Sequence, residues 1–504
     1  MPKIALISLY GVENNGVRSI SSVLEADGFD TCLIFFKRWV NNDIRLPNEK
    51  EKAILISLLK HLMVTVVGIS FTSPFLQIAQ ELTRRIKSNL DVSVIWGGIH
   101  ATAKPEESLE YCDVVCRGEG EYVMPDIVQA YAKGNFSEKI KNTCYKMHGR
   151  IIFEKMKPLI QDLDSLPFQN FGNNNIFFID GRLENVDPLI RARELRVFAS
   201  RGCPFNCAYC YNSILRRLYK GEKYYRIKSV EKVISEIEYA LTMLKKIRKI
   251  KFDDDTFIFP KEWINKFCKE YKSRIGLPYE ILFNPECLNR EVLKNLRNAG
   301  LQRVQVGIQT GSKRESEEIY NRGLPQEKIQ QFAYMAKGLK LNVVYDVIFD
   351  NPLASFEEKE ALVDFLLSMP RPFDLFLYSL TVFPGTRLCE MFLEKGLITS
   401  QDVEGNATKS FYQFRLNFSY PRSKEELFAA CLVSLISKAF IPKPLISSFK
   451  KNKFLQKHPL VLKWFAQICN LVKLSQILVK MLIRQEINMW KFKEYGLPKR
   501  FLIQ

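Results

Sequence analysis

Short β-branched runs alternate with amphipathic stretches in two separate series along these 504 residues. The first series opens with KIALISLY at Lys3, and the second opens with LRVFAS at Leu195. Alternating strands and helices favour parallel sheets, because each crossover between parallel strands needs a connection long enough for a helix. The sequence therefore predicts an α/β protein in which an N-terminal doubly wound parallel sheet precedes a partial βα barrel and a helical C-terminal region.

Changes in pattern divide the chain into four segments. Residues 1–150 carry the first series and predict a Rossmann-like sheet, and residues 195–397 carry six strand patterns that fit a partial TIM-like barrel. Residues 151–194 contain prolines and a polar run and are interpreted as a linker. Helical patterns dominate residues 398–504.

Composition is that of a folded globular protein, with 47% apolar and 26% charged residues. The longest stretch without Asp, Glu, Lys or Arg, residues 61–80, contains Gly68 and Pro74, so no transmembrane helix is predicted. The N-terminal MPKIALISLYG has no small-residue cleavage site and is interpreted as a first strand, not an export signal. Twelve cysteines are too few for a disulfide scaffold. We therefore expect a cytoplasmic protein whose cysteines are thiols or metal ligands.

A CxxxCxxC motif, formed by Cys203, Cys207 and Cys210, directly follows the first strand of the second series. Three thiolates on one compact loop can bind three irons of a cubane cluster and leave the fourth iron open. Structural zinc and ordinary core cysteines are the alternatives. Zinc is disfavoured because a structural zinc site takes four ligands, and neither a second CxxC nor a paired histidine stands nearby in the sequence.

This motif, with the aromatic Tyr209 before its third cysteine, resembles that of the radical S-adenosylmethionine (SAM) enzymes. The resemblance implies that Cys203, Cys207 and Cys210 are the catalytic cysteines, that they hold a 4Fe-4S cluster, and that SAM chelates the open iron. One electron from the cluster would then cleave SAM to methionine and a deoxyadenosyl radical. A low-potential electron donor such as flavodoxin or ferredoxin is implied as a partner.

Three further segments resemble SAM-contacting regions of that family. IKFDDDTF has an acidic run where Gly-Gly-Glu, which touches the SAM amino group, is commoner, and VGIQTGS and YDVIFD match later strands. A solvated turn is the alternative for the acidic run, and an ordinary barrel-interior side chain is the alternative for the glutamine. The implied SAM-binding residues are Tyr209, Asp253, Asp254, Asp255, Gln309, Ser312 and Asp346.

Small residues mark the ends of two strands in the first series, in GISFTS and WGGIH. They let a large planar ligand approach the backbone closely, although any doubly wound sheet can carry them there. Together with SISSVL, GGIHATAKPEE and VVCRGEGE, they resemble the cobalamin-binding domain found in front of radical SAM barrels. The implied cobalamin-binding residues are Ser70, Thr72, Gly97, Gly98, Gly118, Glu119 and Gly120.

The Asp-x-His-x-x-Gly motif that supplies a lower cobalt ligand in other cobalamin domains is missing, because residues 10–18 contain no histidine. A histidine ligand at that position is therefore excluded. His100 can be considered as a ligand or as an ordinary loop residue.

A cobalamin domain joined to a radical SAM barrel implies methylation of an unactivated carbon, in which a substrate radical takes the methyl group of methylcobalamin. We expect the substrate to be a small molecule, either a lipid or another hydrophobic metabolite. A cobalamin-dependent radical SAM cyclase or oxygenase is one alternative. A non-catalytic sensor that binds cobalamin or SAM is the other.

The formal net charge of +19 is concentrated in the C-terminal region, where 14 Lys or Arg face only two Glu after residue 436. Helical spacing between Pro459 and Arg484 predicts a basic amphipathic helix. Its apolar face holds Trp464, Ile468, Leu471, Leu478 and Leu482, and its basic face holds Lys473, Lys480 and Arg484. Trp490, Lys491, Lys493, Lys499 and Arg500 extend the same chemistry.

This helix has three interpretations. It packs on the barrel with a solvated basic face, or it lies on a membrane surface and makes the protein peripheral to the inner face of the membrane, or it contacts nucleic acid. Nucleic acid is disfavoured, because the tRNA-modifying radical SAM methylthiotransferases hold a second cluster on three N-terminal cysteines. Cys32, Cys112, Cys116 and Cys144 do not reproduce that arrangement.

Overall fold

The computed structural model of the protein describes residues 3–39, 45–132, 139–172, 175–287, 289–407 and 422–483. Within them lie two mainly parallel sheets followed by a helical region, which confirms the predicted fold class. None of the described helices is both long enough and apolar enough to cross a membrane. The side chains of Leu478, Lys480 and Leu482, and all of Arg484, Trp490, Lys491, Lys493, Lys499 and Arg500, lie outside the described part.

Nine strands form the N-terminal sheet: β1 Lys3–Leu9, β2 Asp30–Phe36, β3 Val66–Ser70, β4 Ser93–Gly97, β5 Val114–Cys116, β6 Thr143–Met147, β7 Arg150–Phe153, β8 Ile176–Ile179 and β9 Leu183–Glu184. Their order is β7-β6-β5-β4-β3-β1-β2-β8-β9. The six strands from β5 to β8 in this order are parallel, whereas β6, β7 and β9 pair antiparallel at the edges. The direction of winding reverses between β1 and β3, where ligands of such sheets bind beyond the carboxyl ends of the strands.

Six helices accompany this sheet: α1 Asn15–Ala26, α2 Glu49–His61, α3 Leu76–Asn89, α4 Ile99–Ala103, α5 Pro105–Ser108 and α6 Met124–Ala132. Asn14 begins α1, because its side chain accepts a hydrogen bond from the N–H of Val17. Asn48 and Glu51 form a capping box that begins α2. Strands β1, β2 and β3 are almost wholly buried, as expected for parallel strands covered on both faces.

The second sheet is a partial barrel of six parallel strands, with an additional two-stranded antiparallel ladder. The barrel strands are β10 Glu194–Val197, β13 Lys249–Phe252, β14 Tyr279–Phe283, β15 Leu301–Gln309, β16 Asn342–Asp350 and β17 Asp374–Ser379, in that spatial order. The ladder is made of β11 Ser200–Arg201 and β12 Arg226–Ile227. Alternating burial along β14 and β15 separates an apolar face, packed on helices, from a more polar barrel interior.

The remaining helices cover the barrel and form the C-terminal region. Helix α15 (Lys424–Ile436) is buried from residue 428 to residue 436 and packs between α12 (Phe356–Ser368) and α18 (Pro459–Ile483). The helices are α7 Asn212–Leu218, α8 Val230–Met243, α9 Lys261–Glu270, α10 Arg290–Asn298, α11 Gln326–Gly338, α12 Phe356–Ser368, α13 Arg387–Glu394, α14 Ser400–Ala407, α15 Lys424–Ile436, α16 Lys443–Lys451, α17 Lys453–Lys457 and α18 Pro459–Ile483.

Residues 151–194, interpreted from the sequence as a linker, also contribute structure. Strand β8 pairs with β2 and extends the N-terminal sheet. Phe171 and Leu189 belong to one continuous apolar cluster that joins a face of this sheet to Leu195 and Val197 of the barrel. The segment thus connects the two sheets through a shared core, and the boundaries at residues 150, 194 and 397 stay predictions.

Candidate active site

The cysteine motif lies on the loop between β11 and α7. The loop opens at Gly202, whose φ of 80° lies in the left-handed region. A Cβ on this residue would stand 2.4 Å from the carbonyl oxygen of Tyr224, so only glycine fits the turn. Beyond the turn, Cys203 and Cys207 are buried and Cys210 is half-buried.

The thiols of this loop lie near enough to influence one another. Burial raises the pKa of Cys203 to about 12, and Asp255, Cys210 and Cys207 push it in the same direction. Burial also raises the pKa of Cys210 to about 11, with Asp255 and Cys207 adding to the effect. Among the described residues, no group of three His, Cys, Asp or Glu side chains lies close enough together to bind a single metal ion. The cysteines of a 4Fe-4S cluster bind different irons, so their sulfurs need not meet at one ion.

Hydrogen-bond donors reach two of the three sulfurs. Arg322 Nη1 lies 3.6 Å from Cys207 Sγ and donates to the Tyr209 hydroxyl oxygen at 3.2 Å. On the opposite side of the loop, Asn212 Nδ2 lies 3.5 Å from Cys210 Sγ. Donors aimed at sulfur stabilise the thiolate and tune the reduction potential of a cluster that the thiolates hold.

Two buried guanidinium nitrogens beside the loop have no partner within the described part of the chain, namely Nε of Arg322 and Nε of Arg216. Arg216 also supports the loop, because its Nη2 donates to the carbonyl oxygen of Cys203 at 2.6 Å. Buried donors without a partner are costly, and an anionic group beside them would relieve that cost. The residues present therefore fit an iron-sulfur cluster held by Cys203, Cys207 and Cys210.

Asp254 fixes the strand that precedes the cysteines. Its Oδ1 accepts the N–H of Ser200 at 2.6 Å and also the Ser200 hydroxyl. Burial raises the pKa of Asp254 to about 7, although the hydrogen bonds from Ser200 lower it. Its Oδ2 has no partner among the described residues. These contacts indicate that Asp254 positions the cysteine loop, whereas a direct contact with SAM stays a prediction.

The two neighbouring carboxylates have different partners. Asp253 accepts a hydrogen bond from Arg196 Nη1 at 3.1 Å, across two adjacent barrel strands. Asp255 accepts from the Tyr211 hydroxyl at 3.1 Å and from Asn212 Nδ2 at 3.0 Å. Asp255, which is itself exposed, therefore orients the two residues that follow the third cysteine, and Asp254 is the buried member of this run.

Gln309 is the last residue of β15, and Ser312 lies just beyond the strand. Gln309 has a φ of 62°, and its side chain folds back so that a Cβ on Gly307 would stand 2.5 Å from its Nε2. The Ser312 hydroxyl donates to Glu358 Oε1 at 2.5 Å. Both residues are placed near the predicted SAM region, and their contact with SAM stays a prediction.

Asp346 presents a titratable group to the barrel interior. Its carboxylate accepts two hydrogen bonds from Gln305 Nε2, at 2.8 and 3.1 Å. Burial raises the pKa of Asp346 to about 6, although Gln305 and the charges of Arg322 and Lys251 lower it. The carboxyl group thus changes charge close to neutral pH.

A cavity of about 1140 Å³ separates the carboxyl edge of the N-terminal sheet from the β10 and β13 edge of the barrel. Ser70, Thr72 and Gly98 line it from the sheet, and Tyr211 and Asp253 line it from the barrel. These five residues include four predicted cofactor contacts that come from distant parts of the sequence. The cavity lies where a doubly wound sheet binds its ligand.

The walls of the cavity combine small residues with aromatic rings, including Phe71 and Phe198. Tyr10 stacks on Phe75, with ring centroids 4.7 Å apart, and both rings line the cavity. The volume exceeds the range of about 300–1,000 Å³ that suits drug-sized ligands. Its size and aromatic surface fit a large macrocycle such as the corrin ring of cobalamin, whereas Gly98 is required by packing, because a Cβ there would stand 2.7 Å from the carbonyl oxygen of Phe71.

His100 does not line this cavity. It is buried behind Phe71, with ring centroids 5.5 Å apart, and its Nδ1 lies 3.0 Å from the Ser73 hydroxyl. Burial and the charge of Lys104 lower the pKa of His100 to about 4, so the ring is neutral. These contacts support an ordinary structural residue, although His100 lies in α4 and not in a loop as that interpretation expected.

Gly118, Glu119 and Gly120 lie outside the cavity, at the junction between the sheet and the barrel. A Cβ on Gly118 would stand 2.0 Å from the Tyr219 hydroxyl, and one on Gly120 would stand 2.9 Å from Ile20 Cδ1. Both glycines thus allow close packing within the protein. Their predicted contact with cobalamin is not tested by this packing and stays a prediction, as does that of Gly97.

Ion pairs hold this junction together. Glu119 accepts from Arg226 Nη1 at 2.9 and 3.0 Å and from Arg201 Nη1 at 3.2 Å. Arg201 also pairs with Glu121 at 2.5 Å. Burial alone would raise the pKa of Glu121, but the charge of Arg201 and the hydrogen bonds to the carboxylate together outweigh burial and lower it.

Several of these side chains were not identified from the sequence. Tyr211 and Asn212 directly follow the third cysteine, so their position in the motif was an available signal. Arg322, Arg226 and Arg201 gave no such signal, because they meet the site only through folding.

Comparison with known sequence families gives two matches. The B12 binding domain matches residues 3–128, and the radical SAM superfamily matches residues 197–366. Together the two matches include more than half of the chain.

Three curated relatives match the chain at low identity. An uncharacterized methyltransferase of Pyrococcus horikoshii is 29% identical over 355 residues, which covers 69% of this chain and 73% of the relative. The anaerobic magnesium-protoporphyrin IX monomethyl ester cyclase of Cereibacter sphaeroides is 28% identical over 51% of this chain and 42% of its own length. The bacteriochlorophyllide d C-8(2)-methyltransferase of Chlorobaculum tepidum is 23% identical over 65% of this chain and 67% of its own length.

Two solved structures share the fold. The radical SAM methyltransferase TsrM of Kitasatospora setae, solved with cobalamin and a [4Fe-4S] cluster, has a TM-score of 0.62 at 16% identity and covers 78% of each chain. The cobalamin-dependent radical SAM enzyme OxsB, solved with aqua-cobalamin and SAM, has a TM-score of 0.66 at 17% identity, over 96% of this chain and 75% of that one. The chain therefore contains a B12-binding domain followed by a radical SAM domain, its fold is similar to that of these two cobalamin-dependent enzymes, and its cofactors are a 4Fe-4S cluster, SAM and cobalamin.

Proposed function

We propose that this enzyme methylates an unactivated carbon of a hydrophobic small molecule. The observation that carries the proposal is the position of Tyr211, which lines the cavity between the domains and donates its hydroxyl hydrogen to Asp255 beside the cysteine loop. Tyr211 directly follows Cys210 in the chain. A methyl donor in the cavity and a radical source at the cysteines would therefore be adjacent.

When bound, the cluster and SAM supply one-electron radical chemistry and cobalamin supplies the methyl group. The chain supplies the geometry. Cys203, Cys207 and Cys210 would hold the cluster, while Arg322 and Asn212 donate to two of the sulfurs. The loop itself is anchored through its backbone by Arg216, and the strand before it by Asp254.

The ion pairs at the junction hold the two cofactor sites in a fixed position relative to each other. Glu119 bridges Arg226 and Arg201 from the barrel, and Arg226 is 3% exposed. A buried ion pair with several partners resists sliding, because each charge left unpaired would cost several kcal/mol.

A hydrophobic substrate is supported by the aromatic lining of the cavity, to which Trp39, Phe71 and Phe198 contribute. It is also supported by the curated relatives, two of which are named for magnesium-protoporphyrin IX monomethyl ester and bacteriochlorophyllide d. A lipid is one class within this proposal. A flavodoxin or ferredoxin is the proposed electron donor.

Ring closure is the second candidate, because one relative is named as an anaerobic cyclase. This chain spans less than half the length of that relative, which weakens the transfer of its activity. The two reactions differ in product, since only methylation adds a carbon from SAM. A cobalamin- or SAM-binding sensor would require no turnover at all.

The test uses the full chain, purified without oxygen and reconstituted with iron, sulfide and cobalamin. With SAM and a chemical reductant, we expect slow formation of deoxyadenosine even before a substrate is found, and methyl-labelled SAM should transfer its label to cobalamin. Cys207→Ala should abolish the deoxyadenosine, whereas Cys287→Ala, an exposed cysteine away from the loop, should not. Cluster and cobalamin binding without SAM cleavage or label transfer would support the sensor instead.

The reaction class is then decided with candidate substrates. Methyl transfer predicts S-adenosylhomocysteine together with deoxyadenosine and a product that carries the label. A product without label, formed with deoxyadenosine alone, would support the cyclase or oxygenase alternative.

A further inference from the structure

Helix α18 is apolar on two opposite faces. Leu462, Ala466 and Cys469 are at most 5% exposed and pack on α15. Trp464 and Ile468, which belong to the predicted apolar face, are instead 69% and 56% exposed. A surface helix of a soluble domain normally directs polar residues outward, so the apolar outer side needs a separate explanation.

We define the outer face of α18 as the exposed apolar residues that follow one another at helical spacing along its described side chains. They run over five turns, which is more than a local irregularity. The outer face consists of Leu460, Val461, Trp464, Ile468, Leu471, Val472 and Val479.

The chain segment that carries the outer face has charges of one sign. From residue 427 to residue 485 the chain contains nine lysines and one arginine but neither aspartate nor glutamate. Three lysines near the start of α18 are exposed, namely Lys451, Lys453 and Lys457, and Phe454 between them is 61% exposed. Lys450 and Lys473 are instead paired with Asp364 and Asp374 of the barrel.

We propose that the outer face of α18 and the lysines of α17 dock the enzyme onto an anionic lipid bilayer. Aliphatic and aromatic side chains next to ammonium groups match the boundary between acyl chains and anionic headgroups. A helix that already packs on α15 would lie flat on the bilayer, without crossing it. The proposal does not depend on which reaction the barrel performs.

Charge argues against other occupants. A second copy of the chain related by a twofold axis would bring identical basic surfaces together. Residues 484–504 carry five Lys or Arg and two Glu, so they do not complement the lysines either. The phosphates of a nucleic acid would pair with the lysines, but contact with apolar side chains such as Leu460 and Ile468 would add little binding energy.

The experiment measures co-sedimentation of the reconstituted full chain with vesicles. We expect binding to vesicles that contain phosphatidylglycerol, weaker binding to phosphatidylcholine alone, and a decrease at high salt because screening weakens surface attraction. The double variant Trp464→Glu, Ile468→Glu should lower the partition coefficient at least about tenfold. Met63→Glu, at a residue 79% exposed on the N-terminal domain, is the matched control and should change nothing.

The charge contribution is tested separately with Lys453→Gln, Lys457→Gln. Each lysine near an anionic bilayer contributes about fivefold, so this variant should lose about tenfold or more on phosphatidylglycerol vesicles only. Circular dichroism and the melting temperature establish that each variant is folded.

Three results would overturn the proposal. One is equal binding of the wild type and both double variants. Another is a dimer in light scattering that Trp464→Glu dissociates, because the outer face would then be an interface between copies. The third is vesicle binding that appears only after removal of residues 485–504, because those residues would then be the occupant.

Discussion

The carboxylate of Glu119 accepts hydrogen bonds from Arg226 at 2.9 and 3.0 Å, across 107 residues of sequence. Glu119 belongs to the N-terminal domain, and Arg226 belongs to β12, which pairs with β11 immediately before the cysteine loop. The side chains are 17% and 3% exposed. This ion pair therefore links the N-terminal domain, outside the cavity, to the backbone that carries the cysteine loop.

We expect Glu119→Gln to destabilise the junction, because it leaves Arg226 buried without its counter-charge. Removal of one partner of a buried pair costs about 3–5 kcal/mol. Differential scanning calorimetry should show a lower unfolding midpoint, and cobalamin should dissociate faster. The control is Glu390→Gln, in an exposed pair with Arg217, whose loss should cost less than about 1 kcal/mol. Equal shifts of the midpoint in the two variants would contradict this role.

Arg322 is expected to tune the cluster, because its guanidinium lies 3.6 Å from Cys207 Sγ. Removing a positive charge makes the addition of an electron harder. At an effective dielectric constant near 20, the Coulomb energy between the Arg322 charge and the added electron corresponds to on the order of 100 mV. The reduction potential of the cluster should therefore be lower by this amount in Arg322→Gln than in the wild type. Potentiometric titration followed by electron paramagnetic resonance measures it. Arg322→Lys keeps the charge and should recover most of the potential, and a potential unchanged in Arg322→Gln would exclude the effect.

Asp346 should make SAM binding depend on pH. Burial raises its pKa to about 6, so the carboxyl group is ionised above that pH and neutral below it. If the carboxylate attracts the positive charge of SAM, the KM for SAM should rise as pH falls from 7 to 5. Asp346→Asn should show the raised KM at every pH, without an inflection. Asp364→Asn, at an exposed carboxylate paired with Lys450, is the control and should keep the wild-type profile.

Lys438 should make the folded protein more stable as pH rises, whereas a lysine in an ion pair makes it less stable. It is 9% exposed, and burial together with the charge of Lys473 lowers its pKa from 10.5 to about 7. Between these values the unfolded chain holds a proton that the folded protein lacks, so stability rises with pH across the window. Below pH 7 the full cost of charging the buried amine applies.

Lys438→Met removes that cost and should stabilise the protein by roughly 2–4 kcal/mol at pH 7. The advantage over the wild type should shrink towards pH 10. Thermal unfolding of both proteins over this range provides the measurement. A difference that stays constant with pH would show that packing, not titration, explains the variant.

Local patterns were sufficient to predict the fold class and the cluster motif. In each series the spacing of apolar residues reflects whether a strand or helix is buried on one face or on both, and this spacing can be seen in consecutive residues. Cys203, Cys207 and Cys210 are close in sequence, so the spacing between them along the chain already limits how far apart they lie in the folded protein. The antiparallel edge strands and β8 were not predicted, because pairing at a sheet edge depends on which segments become neighbours.

The predicted cofactor residues show the same limit. Ser70, Thr72 and Gly98 line the cavity, but Gly118 and Gly120 are explained by packing against Tyr219 and Ile20. Glycines at strand ends look alike in sequence whether they admit a ligand or a neighbouring side chain. On α18 the helical period was correct, but the face with Trp464 turned out to be exposed and not packed on the barrel.

What the sequence determined by itself is whatever depends on residues within a few turns of one another: the two series of strands and helices, the cysteine loop and the strongly basic charge of the C-terminal region. The tertiary structure decided which distant groups meet. Arg322 reaches Cys207 and Arg226 reaches Glu119 only because the barrel closes around the loop and the sheet docks beside it. The physical reason is that hydrogen bonds and ion pairs depend on distance in space, to which separation along the chain is a poor guide once the chain has folded.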